Sequence, residues 1–490
     1  MHTRRPKLRA QIIDRESEIS ALDELAEGGG RKLVLLTGRR RVGKTFLLTK
    51  LWEPARTFYF TASATTPEVN RRAVVAEAAA WSGRDLRPED HPTWRTVFRT
   101  ILELAPELDA VIVLDEVQYL ASDERGLLEV ASELNAVWEG PLHRSGGLLL
   151  VLCGSAIRTL EALQKGGSPL YGRLAWSGAL QPFDYFDAGR MVAAYDPIDR
   201  VRTYASFGGM PRYLSAVDTS RPLERNIVER ILSPGGEVRL QLETALSQEE
   251  GIREFARYQG VLAATGIKRR GIGEIAAAVG HSLDGAFRRV VSNLVDMGFL
   301  EAERGFEEPG NQALRYRVAD PALRMYFGLV LPNESAIASA GAQVVWRERL
   351  ARQVFPAYVG QHVFEDVVRQ AYLRHWEAKG IPAVARWGRW AGTDREGRDL
   401  EIDVVARLLD GRVLTGSSKM RARPSGADVL VRHLTDLQRL ADSGRGWARE
   451  ALAGDAPMLF ASAAGFKPSF REAADDLGHP VTLWGLDDLF

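Results

Sequence analysis

Eight consecutive residues, Gly38-Arg39-Arg40-Arg41-Val42-Gly43-Lys44-Thr45, fit G-x-x-x-x-G-K-[ST] in full. They follow the mostly apolar run Lys32-Leu33-Val34-Leu35-Leu36-Thr37 and precede Phe46-Leu47-Leu48-Thr49-Lys50, which reads as a helix. A strand before and a helix after are what a phosphate-binding loop needs. Its glycines let backbone N–H groups face phosphate oxygens at a helix N-terminus. On this reading Gly38, Arg41, Val42, Gly43, Lys44, Thr45 and Phe46 surround a bound nucleotide. Lys44 is a compact charge for the β- and γ-phosphates, and Thr45 offers its hydroxyl to Mg²⁺. Only 9 of the 64 basic residues are lysines. A lysine here marks a place where arginine's rigid fork would not serve. The bland alternative is a glycine-rich turn before a helix.

A second apolar run, Ala110-Val111-Ile112-Val113-Leu114, ends in Asp115-Glu116. An acid at the carboxyl end of a neighbouring parallel strand points into a nucleotide crevice. Asp115 would hold the Mg²⁺ shell and Glu116 would polarise the attacking water. The alternative is a pair of acids opening the next helix, where negative charge is favoured. A third run, Gly147-Leu148-Leu149-Leu150-Val151-Leu152, leads through Cys153 and Gly154 to Ser155. Ser155 could touch the γ-phosphate, or it could cap the helix that begins Ala156-Ile157-Arg158. Cys153 reads as a small buried hydrophobe. Arg173, in the loop Ser168-Pro169-Leu170-Tyr171-Gly172-Arg173, is a candidate arginine finger acting in cis or on a neighbour, or a solvated arginine.

These residues need elements to hold them. Apolar runs separated by helical patterns over residues 1–190 suit parallel strands buried on both faces and joined by helices, an α/β class. The whole chain has 490 residues, enough for three or four domains at roughly 100–200 residues each. Apolar residues make up 45% and charged residues 26%, as in an ordinary globular protein. Basic and acidic residues both number 64, which argues against coating nucleic acid by bulk charge but allows a local basic patch. One cysteine excludes an intramolecular disulfide and a cysteine-rich zinc site, and fits a reducing cytoplasm. The stretch Met1 to Arg9 lacks the apolar run of a signal peptide, and no run approaches a membrane span. We therefore expect a cytoplasmic protein with no membrane partner.

Asp14-Arg15-Glu16, GRRRVGKT, VIVLDEVQYL, GSPLYGR and FGGMPRYL resemble, in that order, the archaeal-type ATPases, P-loop proteins grouped with AAA+-like and STAND signalling NTPases. The resemblance continues through Tyr316-Arg317-Val318-Ala319-Asp320-Pro321 into a C-terminal domain similar to the PD-(D/E)xK nuclease fold. It implies ATP binding and hydrolysis with Mg²⁺, and it places Arg15 and Glu16 near the adenine.

The expected fold is thus a P-loop NTPase with a parallel sheet over 1–190, a helical lid over 191–250, a winged helix-turn-helix over 251–332, and an α/β nuclease-like domain over 333–490. In the winged segment, residues 273–280 and 282–297 read as helices. Residues 298–302 and 314–318 could pair as a wing with its tip at 303–313. His281, Arg288, Arg289 and Ser292 mark the outer face of the second helix, with Lys268-Arg269-Arg270 just upstream. DNA could bind through 268–317. Against that, Glu301, Glu303, Glu307 and Glu308 would repel phosphates, so the module could instead be a lid on the ATPase.

In the nuclease-like part, Leu400-Glu401-Ile402-Asp403-Val404 reads as a strand with both acids on one face. Asp410-Gly411 reads as a two-residue hairpin turn. Such a turn sets Asp403 opposite Ser418, off the face of Ser417 and Lys419. The resemblance assigns Glu365, Asp403 and Lys419 to the nuclease-like site, yet Ser417 stands where the family carries Glu. That favours a degenerate site. The resulting function is a Mg²⁺-dependent ATP-hydrolysing switch. The alternatives are an ATP-regulated DNA-processing nuclease and a DNA-binding regulator. ATP is the expected ligand, and a second copy or another protein remains an open partner.

Overall fold

The computed structural model describes residues 11–107, 110–140, 147–247, 249, 252, 254–306 and 314–490. The chain forms two compact units. One comprises residues 1–182 with 210–212, and the other 183–209 with 213–490. Residues 213–490 thus fall in one unit. No helix among the described residues is long and apolar enough to cross a membrane.

The first unit is built on five parallel strands: β1 (Arg31–Gly38), β2 (Thr57–Thr61), β3 (Val111–Asp115), β4 (Leu148–Gly154) and β5 (Leu174–Leu180). Their order is β2-β3-β4-β1-β5. The three apolar runs of the sequence are β1, β3 and β4, and β4 is buried along its whole length. The helices Pro67–Ser82, Trp94–Glu107 and Glu124–Trp138 cover one face, where Leu33, Leu35, Phe58, Phe60, Ile112, Leu114, Leu150 and Leu152 share a core. Each such side chain is worth about 1.5–3 kcal/mol when fully buried. The order corrects one expectation. β4 stands between β1 and β3, so Asp115 does not lie on a strand hydrogen-bonded to the phosphate-loop strand.

In the second unit the helices Phe255–Thr265, Ile272–Val279 and Gly285–Asp296 precede an antiparallel pair, β6 (Leu300–Arg304) and β7 (Leu314–Val318). Asp284 caps the third helix by accepting from Phe287 N–H at 2.7 Å. Phe287, Val290, Val291 and Leu294 of that helix are buried. The tip between β6 and β7, with Glu307 and Glu308, lies outside the described residues.

The C-terminal sheet has the order β12-β11-β10-β9-β8. Its strands are β8 (Val384–Thr393), β9 (Asp399–Leu408), β10 (Val413–Lys419), β11 (Met458–Ser462) and β12 (Val481–Trp484). The first three form an antiparallel meander, and β10, β11 and β12 run parallel. The β9–β10 turn is not the two-residue hairpin expected. Leu408 N–H donates to Arg412 O at 3.0 Å, which leaves Leu409, Asp410 and Gly411 as a three-residue loop. Gly411 has φ +90°, the left-handed residue such loops use. Val404 pairs with Gly416, and continuing that register sets Asp403 against Ser417. The one-residue slip restores Asp403, Ser417 and Lys419 to one face.

Candidate nucleotide site and a second acidic cluster

β1 ends at Gly38, whose φ of +151° and closeness to Leu180 leave no room for a side chain. A Cβ there would stand 2.8 Å from Leu180 O. The backbone stays left-handed at Arg41 (φ +71°) and Gly43 (φ +100°), and Gly43 starts the helix Lys44–Leu51. Val42 is buried and Phe46 is exposed. Lys44 is buried, with its Nζ donating to Gly38 O at 2.7 Å and Arg39 O at 3.2 Å. The ammonium is therefore folded onto the loop's own carbonyls, where a phosphate could take their place.

Thr45 follows on the helix, and its hydroxyl donates to Asp115 Oδ2 at 2.8 Å. The intervening strand thus does not prevent the contact, because parallel strands end at one edge. Asp115 is 1% exposed. Its Oδ2 also accepts from the Tyr59 hydroxyl at 2.6 Å, and its Oδ1 accepts from Glu116 N–H at 2.9 Å. Thr45 and Asp115 are hard oxygen groups side by side, a donor set that suits Mg²⁺.

After Asp115 the backbone turns left-handed at Glu116, φ +54°. The turn aims the carboxylate at the end of β4. There Glu116 Oε2 accepts from Ser155 Oγ at 2.7 Å and Ser155 N–H at 3.3 Å, and Gln118 Nε2 also donates to it. Ser155 is not a helix cap: the helix Ile157–Glu161 starts after Ala156, with no side-chain cap bond. Cys153 is buried, as expected. Arg15 Nη2 donates to Gln181 O at 2.6 Å and pairs with Asp14 at 3.3 Å. Gln181 follows Leu180, the partner of Gly38, so Arg15 sits at the phosphate-loop edge of the sheet. Glu16 is exposed and opens the helix Glu16–Glu27.

Arg173 is displaced from this edge. It immediately precedes β5, whose first residue pairs near the start of β1. The phosphate loop lies a strand-length away, about 20 Å at roughly 3.3 Å per residue. Arg173 pairs instead with Glu139 at 2.9 Å. Arg173 therefore does not reach the phosphate loop of its own chain as a cis arginine finger would. Tyr59 and Gln118 were not anticipated. The run Thr57-Phe58-Tyr59-Phe60-Thr61 carried the signal, since β-branched and aromatic residues favour strands.

In the second unit, Glu365 on the helix Phe364–His375 meets Glu401 and Asp403 of β9, with carboxylate oxygens within 4.8 Å of one another. Asp403 Oδ2 accepts from Lys419 Nζ at 2.7 Å, Ser417 Oγ at 3.1 Å and Ser418 N–H at 3.1 Å. Arg389 pairs with Glu401 and lies 3.7 Å from Glu365, which Arg269 approaches at 3.5 Å. Burial pushes the Glu365 carboxyl up to about 7, against the pull of Arg389 and Arg269. Each carboxylate already carries a cation of the chain, and Ser417 supplies only a hydroxyl. Three carboxylates at this spacing are able to hold a divalent cation, and here the chain's own Arg389 and Lys419 pair with them. Glu365, Asp403, Arg269 and Arg389 line a cleft of about 810 Å³ between β6 and β8.

On the helix Gly285–Asp296, Arg288, Arg289 and Ser292 are exposed, as are His281 and Lys268 nearby. Two acids of β6 are paired within the unit. Glu301 pairs with Arg317 at 2.8 Å, and Glu303 with Arg269 at 2.8 Å.

Residues 12–217 match the model of a family described as an ATPase domain predominantly from Archaea. The match spans the whole parallel sheet and the phosphate loop, and this part of the chain is similar to that family. The uncharacterized protein MJECL04 of Methanocaldococcus jannaschii is 24% identical over 403 residues, which is 81% of this chain and 84% of that one. Among solved structures, the Walker-type ATPase PABY2304 of Pyrococcus abyssi is 23% identical. It covers 66% of this chain and 98% of its own, with a TM-score of 0.49. The Aeropyrum pernix ORC2 protein, solved in ADPNP–ADP complexes, is 13% identical. It covers 67% of this chain and 96% of its own, with a TM-score of 0.43.

Proposed function

We propose that this chain, similar to an ATPase family over residues 12–217, is a Mg²⁺-dependent ATP-hydrolysing switch of the AAA+/STAND type. The observation that carries the reading is the 2.8 Å bond from Thr45 of the phosphate loop to Asp115 at the end of β3. It joins the phosphate-binding element and the acid at one edge of the sheet. Lys44 exchanges the carbonyls of Gly38 and Arg39 for phosphate oxygens. Thr45 and Asp115 are the residues that would hold Mg²⁺, whose charge offsets that of the β- and γ-phosphates. Glu116 is the candidate base. It is held by Ser155 and Gln118 in this structure, so Ser155 is placed to link the state of the phosphate edge to the base.

The test is nucleotide binding and phosphate release by wild type, Lys44→Ala and Glu116→Gln. Lys44→Ala should lose tight ATP binding. Glu116→Gln should bind ATP and turn it over ~10²–10⁴-fold more slowly, the usual contribution of a general base. Wild-type ATP affinity in Lys44→Ala would sink the assignment.

A second reading, DNA binding through residues 268–317, rests on the exposed Arg288 and Arg289 and on the pairing of Glu301 and Glu303 within the unit. The nuclease-like site is read as degenerate, because Ser417 replaces a carboxylate and Arg389 and Lys419 occupy the acids.

A further inference from the structure

Tyr59 lies outside every motif, yet its hydroxyl makes a 2.6 Å bond to the oxygen of Asp115 that Thr45 also donates to. Its placement follows from the period of two along β2. Phe58 and Phe60 turn into the core shared with the helices Pro67–Ser82 and Trp94–Glu107. Tyr59 must therefore leave the opposite face, where the start of the helix Lys44–Leu51 stands. Its strand pairs residue for residue with β3, Tyr59 against Val113 and Thr61 against Asp115. A tyrosine two residues before the end of β2 is long enough to bring its hydroxyl up to the carboxylate.

The donors around Asp115 can be counted. A carboxylate has about four acceptor positions. Thr45 and Tyr59 take two on Oδ2, and Glu116 N–H takes one on Oδ1. The buried Cys153 thiol also hydrogen-bonds to this carboxylate. Thr45 commits its only proton to Asp115, so its oxygen lone pairs are left for a cation. Tyr59 is a hydroxyl donor to Asp115 that lies outside the phosphate loop. It fixes the plane of the carboxylate without taking part in phosphate binding.

We infer that Tyr59 is a positioning residue for the divalent cation of the nucleotide site, acting through Asp115 by holding its carboxylate in a fixed orientation beside Thr45. The inference rests on the proposed ATPase reading and names a residue that neither the loop motif nor the acid strand contains. Partners that orient a metal-binding group from outside typically contribute 10–100-fold in metal affinity.

The experiment compares wild type and Tyr59→Phe, which keeps the ring and removes only the hydroxyl. Free Mn²⁺ is followed by electron paramagnetic resonance while protein and ATP are titrated, and ATP binding is measured separately in EDTA. Tyr59→Phe should bind ATP in EDTA as wild type does, and should hold Mn²⁺ in the ternary complex about 10–100-fold more weakly. Phosphate release should then need correspondingly more Mg²⁺, with kcat at saturating Mg²⁺ nearly unchanged. A residue that only packed would lower the melting temperature and leave the Mn²⁺ affinity where it was. Wild-type Mn²⁺ affinity in Tyr59→Phe overturns the inference while leaving the ATPase reading in place. Absence of Mn²⁺-dependent ATP binding in the wild type overturns the ATPase reading, and this inference with it.

Discussion

Replacing Arg317 with methionine should loosen β7 from the helix Phe364–His375. The Arg317 side chain is 4% exposed. Its Nη1 donates to Asp366 Oδ1 at 2.8 Å and Oδ2 at 2.7 Å, and its Nη2 donates to Glu301 Oε2 at 2.8 Å. Methionine keeps the unbranched stem and removes the charge. Removing one partner of a buried ion pair costs about 3–5 kcal/mol, because the other charge is left behind. The lower end applies here. Arg324 still reaches Asp366 at 3.3 Å, Glu303 keeps Arg269, and Glu301 is partly exposed. We expect a loss of about 3 kcal/mol in urea unfolding at pH 7.

The pH dependence has a definite sign. Burial alone would raise the Asp366 carboxyl, but Arg317 and Arg324 hold it well below the ordinary range. That contribution is present above the unfolded carboxylate value of about 3.9 and is lost as pH falls below it. The methionine variant lacks most of it, so the gap between the two proteins should close toward pH 4 and below. Hydrogen exchange should localise the loss to residues 300–304, 314–318 and 364–375. A loss under about 1 kcal/mol, or a gap unchanged on acidification, would refute the reasoning.

Other outcomes follow from single features. Arg288→Ala with Arg289→Ala should weaken binding to duplex DNA and reduce the log–log salt slope by about 0.9 for each phosphate no longer neutralised. A salt titration by fluorescence anisotropy checks this, and an unchanged slope would favour a packing role for the module. Burial lowers His433 to about 4, from 6.5, with Asp403 and Lys419 pulling in opposite directions. Its stabilisation is full above pH 6.5 and declines as pH falls toward 4, which amounts to about 2 kcal/mol between pH 7.5 and 5. Urea titrations at those two values should show that decline shrink in His433→Asn. The wild type should not cleave single- or double-stranded DNA with Mg²⁺; robust cleavage that Lys419→Ala abolishes would show the acidic cluster to be active after all.

Much of the nucleotide site is legible in the sequence because its parts are local. Gly38, Gly43, Lys44 and Thr45 carry their roles in their spacing, and Asp115 ends an apolar strand that could belong to little else. Strand order is not legible. Nothing in the run of β4 says that it enters between β1 and β3, since that choice is made by crossover helices rather than by the strand itself. Arg173 misleads for the same reason: its loop looks like a finger, but the end of the sheet on which it falls is a property of β5, an edge strand with no apolar run to announce it. The β9–β10 register departs from expectation by one residue because Asp-Gly is also found in longer loops, where glycine takes the left-handed place. Glu303 reads as a free charge in the sequence because its partner Arg269 comes from 34 residues upstream.

Phe306 has a consequence for how this chain can be divided. It follows β6, is fully buried, and donates its N–H to Arg389 O at 2.9 Å, while its ring stands edge-on to Trp447 at 5.6 Å. A residue of one sequence segment thus serves as a core residue of another. Cut near 332, the upstream piece would carry a bare phenylalanine and an Arg317 parted from Asp366, and the downstream piece a hole beside Gly388 and an Asp366 without Arg317 and Arg324. The two segments should therefore be inherited and exchanged as a single piece, and a hybrid joining this wing to a relative's sheet should fail unless both sides of the peg come from the same parent.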